Sequence, residues 1–254
     1  MSGWKFYDPS PDAVINPSGR HAPMEGFPPL VVSAFSEKLA RKVVDARNPR
    51  KITDLDTSHS DIPVYALTFG GAEVAFFTSP IGAPFCTAIF ERIIAFGGRS
   101  FVYFGSCGTL DAEIAESSFI VPTAAVRDEG TSRHYCPPGE EIELDAGCVR
   151  AVSGAMAELG CKYVEAKTWT TDAIYRETRA KMEEAKRRGC VSVEMECAAL
   201  AAAARFRGVR FAQFLYAADN LDAPKWEARN LKDHGVSGGE KCLEIALKSV
   251  LSMA

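Results

Sequence analysis

The sequence predicts an α/β protein, a sheet covered by helices. Three observations carry the prediction. Runs rich in β-branched and aromatic residues alternate with helical patterns over most of the 254 residues. The links between these runs are short. The composition, 47% hydrophobic and 24% charged, is that of an ordinary globular chain. Helix–strand alternation with short links implies a sheet layered by helices.

Each element has a local reason. Leu30–Ala34 (LVVSA) reads as a strand, and Ser36 is placed to cap an amphipathic helix that follows it. Val64–Thr68 and Val74–Thr78 flank Gly70-Gly71, a hairpin signal. Pro84–Phe96 fits a helix that stops at Gly97-Gly98, where glycine takes a cap conformation closed to other residues. Ser100–Phe104 is a nearly all-apolar strand, as in a sheet covered on both faces. Phe119–Val126 is a strand and Cys148–Leu159 a helix. The second half repeats the rhythm: strand Tyr163–Thr170, charged helix Glu177–Arg188, short strand Val191–Val193, Ala-rich helix Glu196–Phe206, strand Phe211–Ala217 and terminal helix Gly238–Ser252.

Composition excludes several function classes. Lys plus Arg is 29 against 33 Asp plus Glu, a net charge of −4, so no strongly basic footprint exists for nucleic acid. The longest uncharged stretch, Val74 to Phe90, is broken by Pro80, Gly82 and Pro84, so no membrane span is predicted. Eight cysteines, none in CxxC spacing and with no secretory leader before them, read as reduced thiols of a cytoplasmic protein. Four scattered histidines lack ligand spacing, so no metal site is expected. Residues 1–254 read as one domain with an irregular N-terminal segment, 1–29.

Four strand ends carry unusual residues, and strand ends are where open α/β sheets bind ligands. Gly105-Ser106-Cys107-Gly108-Thr109 follows strand 100–104; its small residues either admit an anion or a sugar oxygen to the backbone, or simply allow tight packing. Glu194-Met195-Glu196 sits at a strand-to-helix junction. Its carboxylates either balance the helix dipole or chelate vicinal hydroxyls, with Met195 flexible enough to pack on a sugar. Ala218-Asp219-Asn220 follows an apolar strand. There Asp219 is either a turn residue or, partly desolvated, a general acid. Thr170 to Tyr175 ends another strand, and Ile174 and Tyr175 are a possible wall for an aromatic ligand. Cys107 invites a nucleophile reading, but no histidine partner is identifiable.

Taken together and in this order, these segments resemble the nucleoside phosphorylase family, which contains purine nucleoside phosphorylase, uridine phosphorylase and methylthioadenosine nucleosidase. VEMEC at 193–197, the Ala-rich helix after it, Ala-Asp-Asn at 218–220, Ile81-Gly82-Ala83-Pro84 and GSCG at 105–108 carry the resemblance, which runs from about Leu30 to the C-terminus. It implies a three-layer α/β/α domain with a mixed, partly barrel-like sheet, assembled as a homo-oligomer. It also implies roles: Glu196 on the ribose hydroxyls, Met195 against the sugar, Glu194 as the neighbouring acid. Asp219 would act at N7 of a purine, and Ser106 would contact phosphate. Gly105, Cys107, Ile174 and Tyr175 complete the implied substrate site.

Two positions depart from the family. Tyr103 stands where phosphorolytic members carry an arginine. Of the Pro-Gly-Asp-Pro-x-Arg segment only a charge remains, at Lys38, and lysine lacks the bidentate fork of arginine. Where uridine-specific members carry the residues that read uracil, this chain has Ile174, Thr178 and Ala180, so the resemblance does not imply uracil readout, whereas Asp219 implies a purine. Family members also borrow residues from a neighbouring subunit, for which His21, His59 and Arg20 are candidates. The resulting expectation is cleavage of a purine nucleoside with inorganic phosphate as co-substrate and no cofactor. Water as acceptor, or a binding protein with weak catalysis, are the alternatives.

Overall fold

The computed structural model describes residues 7–114 and 118–254. In chain order the first part holds α1 (Pro17–Arg20), β1 (Leu30–Ala34), α2 (Glu37–Arg47), β2 (Arg50–Leu55), β3 (Ile62–Phe69), β4 (Ala72–Thr78), α3 (Ala83–Phe96) and β5 (Ser100–Thr109). The second part holds β6 (Phe119–Asp128), α4 (Ser132–Tyr135), β7 (Glu141–Glu143), α5 (Ala146–Glu158), β8 (Tyr163–Thr171), α6 (Arg179–Arg187), β9 (Cys190–Glu194), α7 (Cys197–Arg207), β10 (Arg210–Asn220) and α8 (Gly239–Ser252).

All ten strands belong to one mixed sheet, in the order β10-β6-β8-β9-β5-β1-β4-β3-β2, with β7 beside β6. β10 also pairs with β5, which closes β5, β10, β6, β8 and β9 into a five-stranded barrel. β5 makes this closure possible because it is long. Its first half lies parallel to β1, its last two residues pair antiparallel with β9, and its whole length runs parallel to β10. The layered α/β fold with a partly barrel-like sheet is therefore the one the resemblance implied.

Two boundaries differ from expectation, and both matter for the site. Gly105–Thr109 is not a loop after the strand but the second half of β5, and Ala218–Asn220 lies inside β10. Parallel pairing from Ser100↔Arg210 to Thr109↔Asn220 extends both strands through residues whose composition reads as turn. One irregularity interrupts the ladder, between Ala217 and Asp219, and such a bulge re-aims the side chains beyond it.

The core explains the rest of the architecture. Cys197 to Ala204 are eight consecutive buried residues, so α7 is enclosed on all sides, and its alanines let neighbours approach closely. Phe90, Phe101, Tyr103 and Phe211 form a fully or nearly fully buried aromatic cluster, and Phe104 stacks on Phe214 with ring centroids 5.3 Å apart. Helices α5 and α8 pack on each other, as do α3 and α7. Glu91 of α3 joins three helices by accepting from Tyr135 at 2.7 Å and pairing with Arg207 at 2.6 Å. Ser36 caps α2 as expected, its hydroxyl accepting from the Leu39 N–H at 3.2 Å. None of the described helices is long and apolar enough to cross a membrane, and all eight cysteines are unpaired.

Candidate active site

The register of three strands places the acidic groups relative to one another. Gly108 of β5 pairs with Val193 of β9 on one side and with Asp219 of β10 on the other. Neighbouring strands lie roughly 4.8 Å apart, so the backbones of β9 and β10, one on each side of β5, lie within about 10 Å of each other. Gly108 allows close packing of these strands. A Cβ there would lie 2.5 Å from Leu221 Cδ1 and 3.3 Å from Asp219 Oδ1.

Glu194 and Glu196 are both buried but are used differently. Glu194 Oε1 accepts from the Thr170 hydroxyl at 2.5 Å, while Oε2 accepts from the Glu196 and Cys197 N–H groups, each at 2.7 Å. It thus satisfies the first donors of α7, the dipole-balancing role rather than an open binding role. Glu196, at the cap position of α7, reaches across to the start of α3. Its Oε1 accepts from the Gly82 N–H at 2.5 Å. Gly82 has φ of +100°, a conformation that favours glycine and turns its N–H toward the carboxylate. Burial pushes both glutamates up from the usual carboxylate range, and for Glu196 the neighbouring Glu194 charge adds to the effect. Met195, between them, is half-buried.

Asp219 is 9% exposed, and its Oδ2 accepts from the Trp226 indole N–H at 2.7 Å. Burial raises its pKa, against the opposing pull of the Trp226 hydrogen bond and the Arg229 charge. Glu177 faces it. Burial, with the Asp219 charge second, pushes Glu177 up to about 7. Two features hold the segment after β10 in place. Asn220 and Glu227 form a two-way backbone bridge, and Arg179 donates to the carbonyls of Leu221, Ala223 and Pro224. Neither Trp226 nor Glu177 was singled out from the sequence. Trp226 is a lone aromatic in a stretch of Pro and charged residues with no periodicity, and Glu177 reads there as the first residue of a helix.

The remaining candidates scatter. Ser106 is exposed on β5, opposite Tyr216. Gly105 serves close packing: a Cβ there would lie 2.9 Å from the Phe35 ring. Cys107 is buried against the Tyr216 carbonyl, and desolvation pushes its thiol well above the ordinary range, which removes it as a nucleophile. Ile174 and Tyr175 lie on an exposed turn, Tyr175 with 95% of its surface accessible. Lys38 is exposed in the first turn of α2. His21 stacks edge-on against Phe96, at the end of α3 remote from Gly82, about 21 Å along the helix, and Arg20 precedes it on the surface. His59 lies edge-on to Phe85 and lines a cavity of about 740 Å³ with Phe35, Ser79, Pro80 and Ile81. That cavity adjoins Gly82 through Pro80 and Ile81, and its lining includes neither Glu196 nor Asp219. Tyr103 is fully buried in the aromatic cluster, and its hydroxyl has no hydrogen-bond partner among the described residues.

Comparison with known proteins identifies the family and the fold. The family model described as the phosphorylase superfamily matches residues 29–251. A guanosine phosphorylase from Halorubrum lacusprofundi is 22% identical over 209 residues, covering 79% of this chain and 85% of the relative. A uridine phosphorylase from Salmonella typhimurium is 26% identical over 201 residues, covering 74% and 78%. The crystal structure of AMP nucleosidase from Bacteroides thetaiotaomicron superposes with a TM-score of 0.71 at 18% identity, covering 89% of each chain, and so shares the fold. With a family model matched over nearly its whole length, this chain belongs to the phosphorylase superfamily.

Proposed function

We propose that the protein is an enzyme that cleaves the N-glycosidic bond of a purine nucleoside, with inorganic phosphate as acceptor and no cofactor. The observation that supports the proposal is the register of β5, in which Gly108 pairs with Asp219 on one side and with Val193, three residues before Glu196, on the other. Breaking the bond develops negative charge on the departing base and positive charge on the sugar. Asp219, with its pKa raised by burial, is suited to give a proton to N7 of the base, an effect worth on the order of 10²–10⁴ in rate. Glu196, fixed through Oε1 by Gly82, offers its second oxygen to the ribose hydroxyls. Ser106 and Lys38 remain the phosphate candidates, and the guanosine and uridine phosphorylases among the relatives favour phosphate. The proposal includes a homo-oligomer, because Ile81, Ile174 and Tyr175 leave apolar surface uncovered on the segments that lead into and out of the site.

One observation favours water as acceptor. Tyr103 is neutral and sealed in the core, so β5 offers no cation to an anion at this position. Product analysis separates the two. Purified protein incubated with guanosine, inosine or adenosine is expected to release base and ribose 1-phosphate only when phosphate is present. Free ribose formed at the same rate without phosphate would replace the phosphorylase reading by the hydrolase. No release of base from any of the three would remove both.

A further inference from the structure

Asp219 is held from one side by a group that has no counterpart in the roles assigned so far. The antiparallel bridge between Asn220 and Glu227 folds the chain back on β10, and a side-chain hydrogen bond from Asn220 Nδ2 to Glu227 Oε2, 3.0 Å, reinforces it. This reversal brings the Trp226 indole N–H to 2.7 Å from Asp219 Oδ2. Arg229, three residues on, donates to the Ile114 carbonyl at 3.1 Å and anchors the far side of the turn. The indole itself is 58% exposed, so it stands at the rim of the site rather than filling it.

We propose that Trp226 is a positioning residue that decides which oxygen of Asp219 carries the catalytic proton. An indole N–H can donate but cannot accept. The carbonyl oxygen of a neutral carboxyl is the better acceptor of its two oxygens, so the indole favours Oδ2 as carbonyl and the proton on Oδ1. Oδ1, the oxygen the indole leaves free, lies on the Gly108 side of the carboxyl, toward β5. The indole thus locks the carboxyl rotamer and leaves Oδ1 as the oxygen that presents the O–H. Three other groups face Asp219: Glu177 from the turn before α6, Arg229 from the segment after β10 and the Cys107 thiol from β5. None of these three donates a hydrogen bond to its carboxyl; Asp219's own backbone N–H does, and Trp226 is its side-chain donor.

This inference rests on the purine-cleaving reading, and the test keeps the two apart. The readouts are kcat, KM and the alkaline limb of the kcat–pH profile with a purine nucleoside that the wild-type full-length protein cleaves. Trp226→Phe keeps an exposed ring but removes the donor. Loss of a hydrogen bond to a carboxylate raises its pKa, so the alkaline limb is expected to move up by about one pH unit. Loss of the locked rotamer is expected to lower kcat about tenfold or more, with a smaller change in KM. Trp226→Gln, which restores an N–H donor without the ring, is expected to recover part of both. Three results would overturn the inference: an unchanged kcat and limb, a lowered kcat with an unmoved limb, or a lowered KM at full kcat. The last would show that the indole merely competes with the base. Asp219→Asn is the parallel control. If it is as active as wild type, the reading of Asp219 as acid fails. If it is inactive while Trp226→Phe is unaltered, the inference fails alone.

Discussion

Carboxylates taken out of water dominate this molecule's chemistry. Glu177, Glu194, Glu196 and Asp219 all have pKa values raised chiefly by burial. A carboxylate that binds its proton more tightly in the folded than in the unfolded state stabilises the fold below its unfolded pKa, and that stabilisation is lost as pH rises through its folded pKa. For Glu177 the window runs from 4.5 to about 7. The lowered groups Asp145, Glu184, Asp222 and Asp233 act in the opposite sense, but only below their ordinary values, 3.8 for the aspartates and 4.5 for Glu184. His21, lowered from 6.5, also opposes the trend below that value. Melting temperature is therefore expected to fall as pH rises from about 7 to 9, the interval through which Glu194 and Glu196 ionise and which lies above the ordinary value of His21. Glu177→Gln is expected to flatten the part of the profile below about 7. A melting temperature that climbs over the higher interval would contradict the assignment.

The junction of β9 and α7 shows what can be read from a sequence and what cannot. Glu194 and Glu196 read alike there, two acids beside a helix start. Only folding separates them, because Glu194 points back to the α7 N–H groups and Thr170 while Glu196 crosses to Gly82. Glu194→Ala would leave those donors buried and unsatisfied, and chemical denaturation is expected to show a loss of about 2–3 kcal/mol. A loss under ~0.5 kcal/mol would show that water replaces the carboxylate. Elements with strong local signals were legible: β1, the β3–β4 hairpin, α3 with its Gly97 stop, the enclosed α7 and the terminal α8. β2 and β7 escaped notice because they carry the charged, half-exposed residues of outer strands, with burial decided by a partner distant in sequence. The same cause hid the second halves of β5 and β10, whose small and polar residues become strand only because each has the other to pair with. Trp226 was illegible for a third reason: its meaning comes from one chain reversal at Asn220–Glu227.

Closure of the barrel turns separate acidic positions into one proposed site. Were β10 not paired with β5 along its length, Asp219 and the β9–α7 junction would have no fixed separation. Helices α3 and α7, packed on each other and joined through Glu91, hold Gly82 against Glu196 from outside the barrel. The catalytic proposal depends on this rigidity, since a protonated acid works only at a fixed distance from the leaving atom. The most direct measurement is steady-state cleavage of a purine nucleoside by wild-type protein and by Asp219→Asn, which keeps the shape and removes the acidic proton. The account predicts a kcat lower by on the order of 10²-fold or more with KM little changed. Equal kcat values in the two proteins would contradict it.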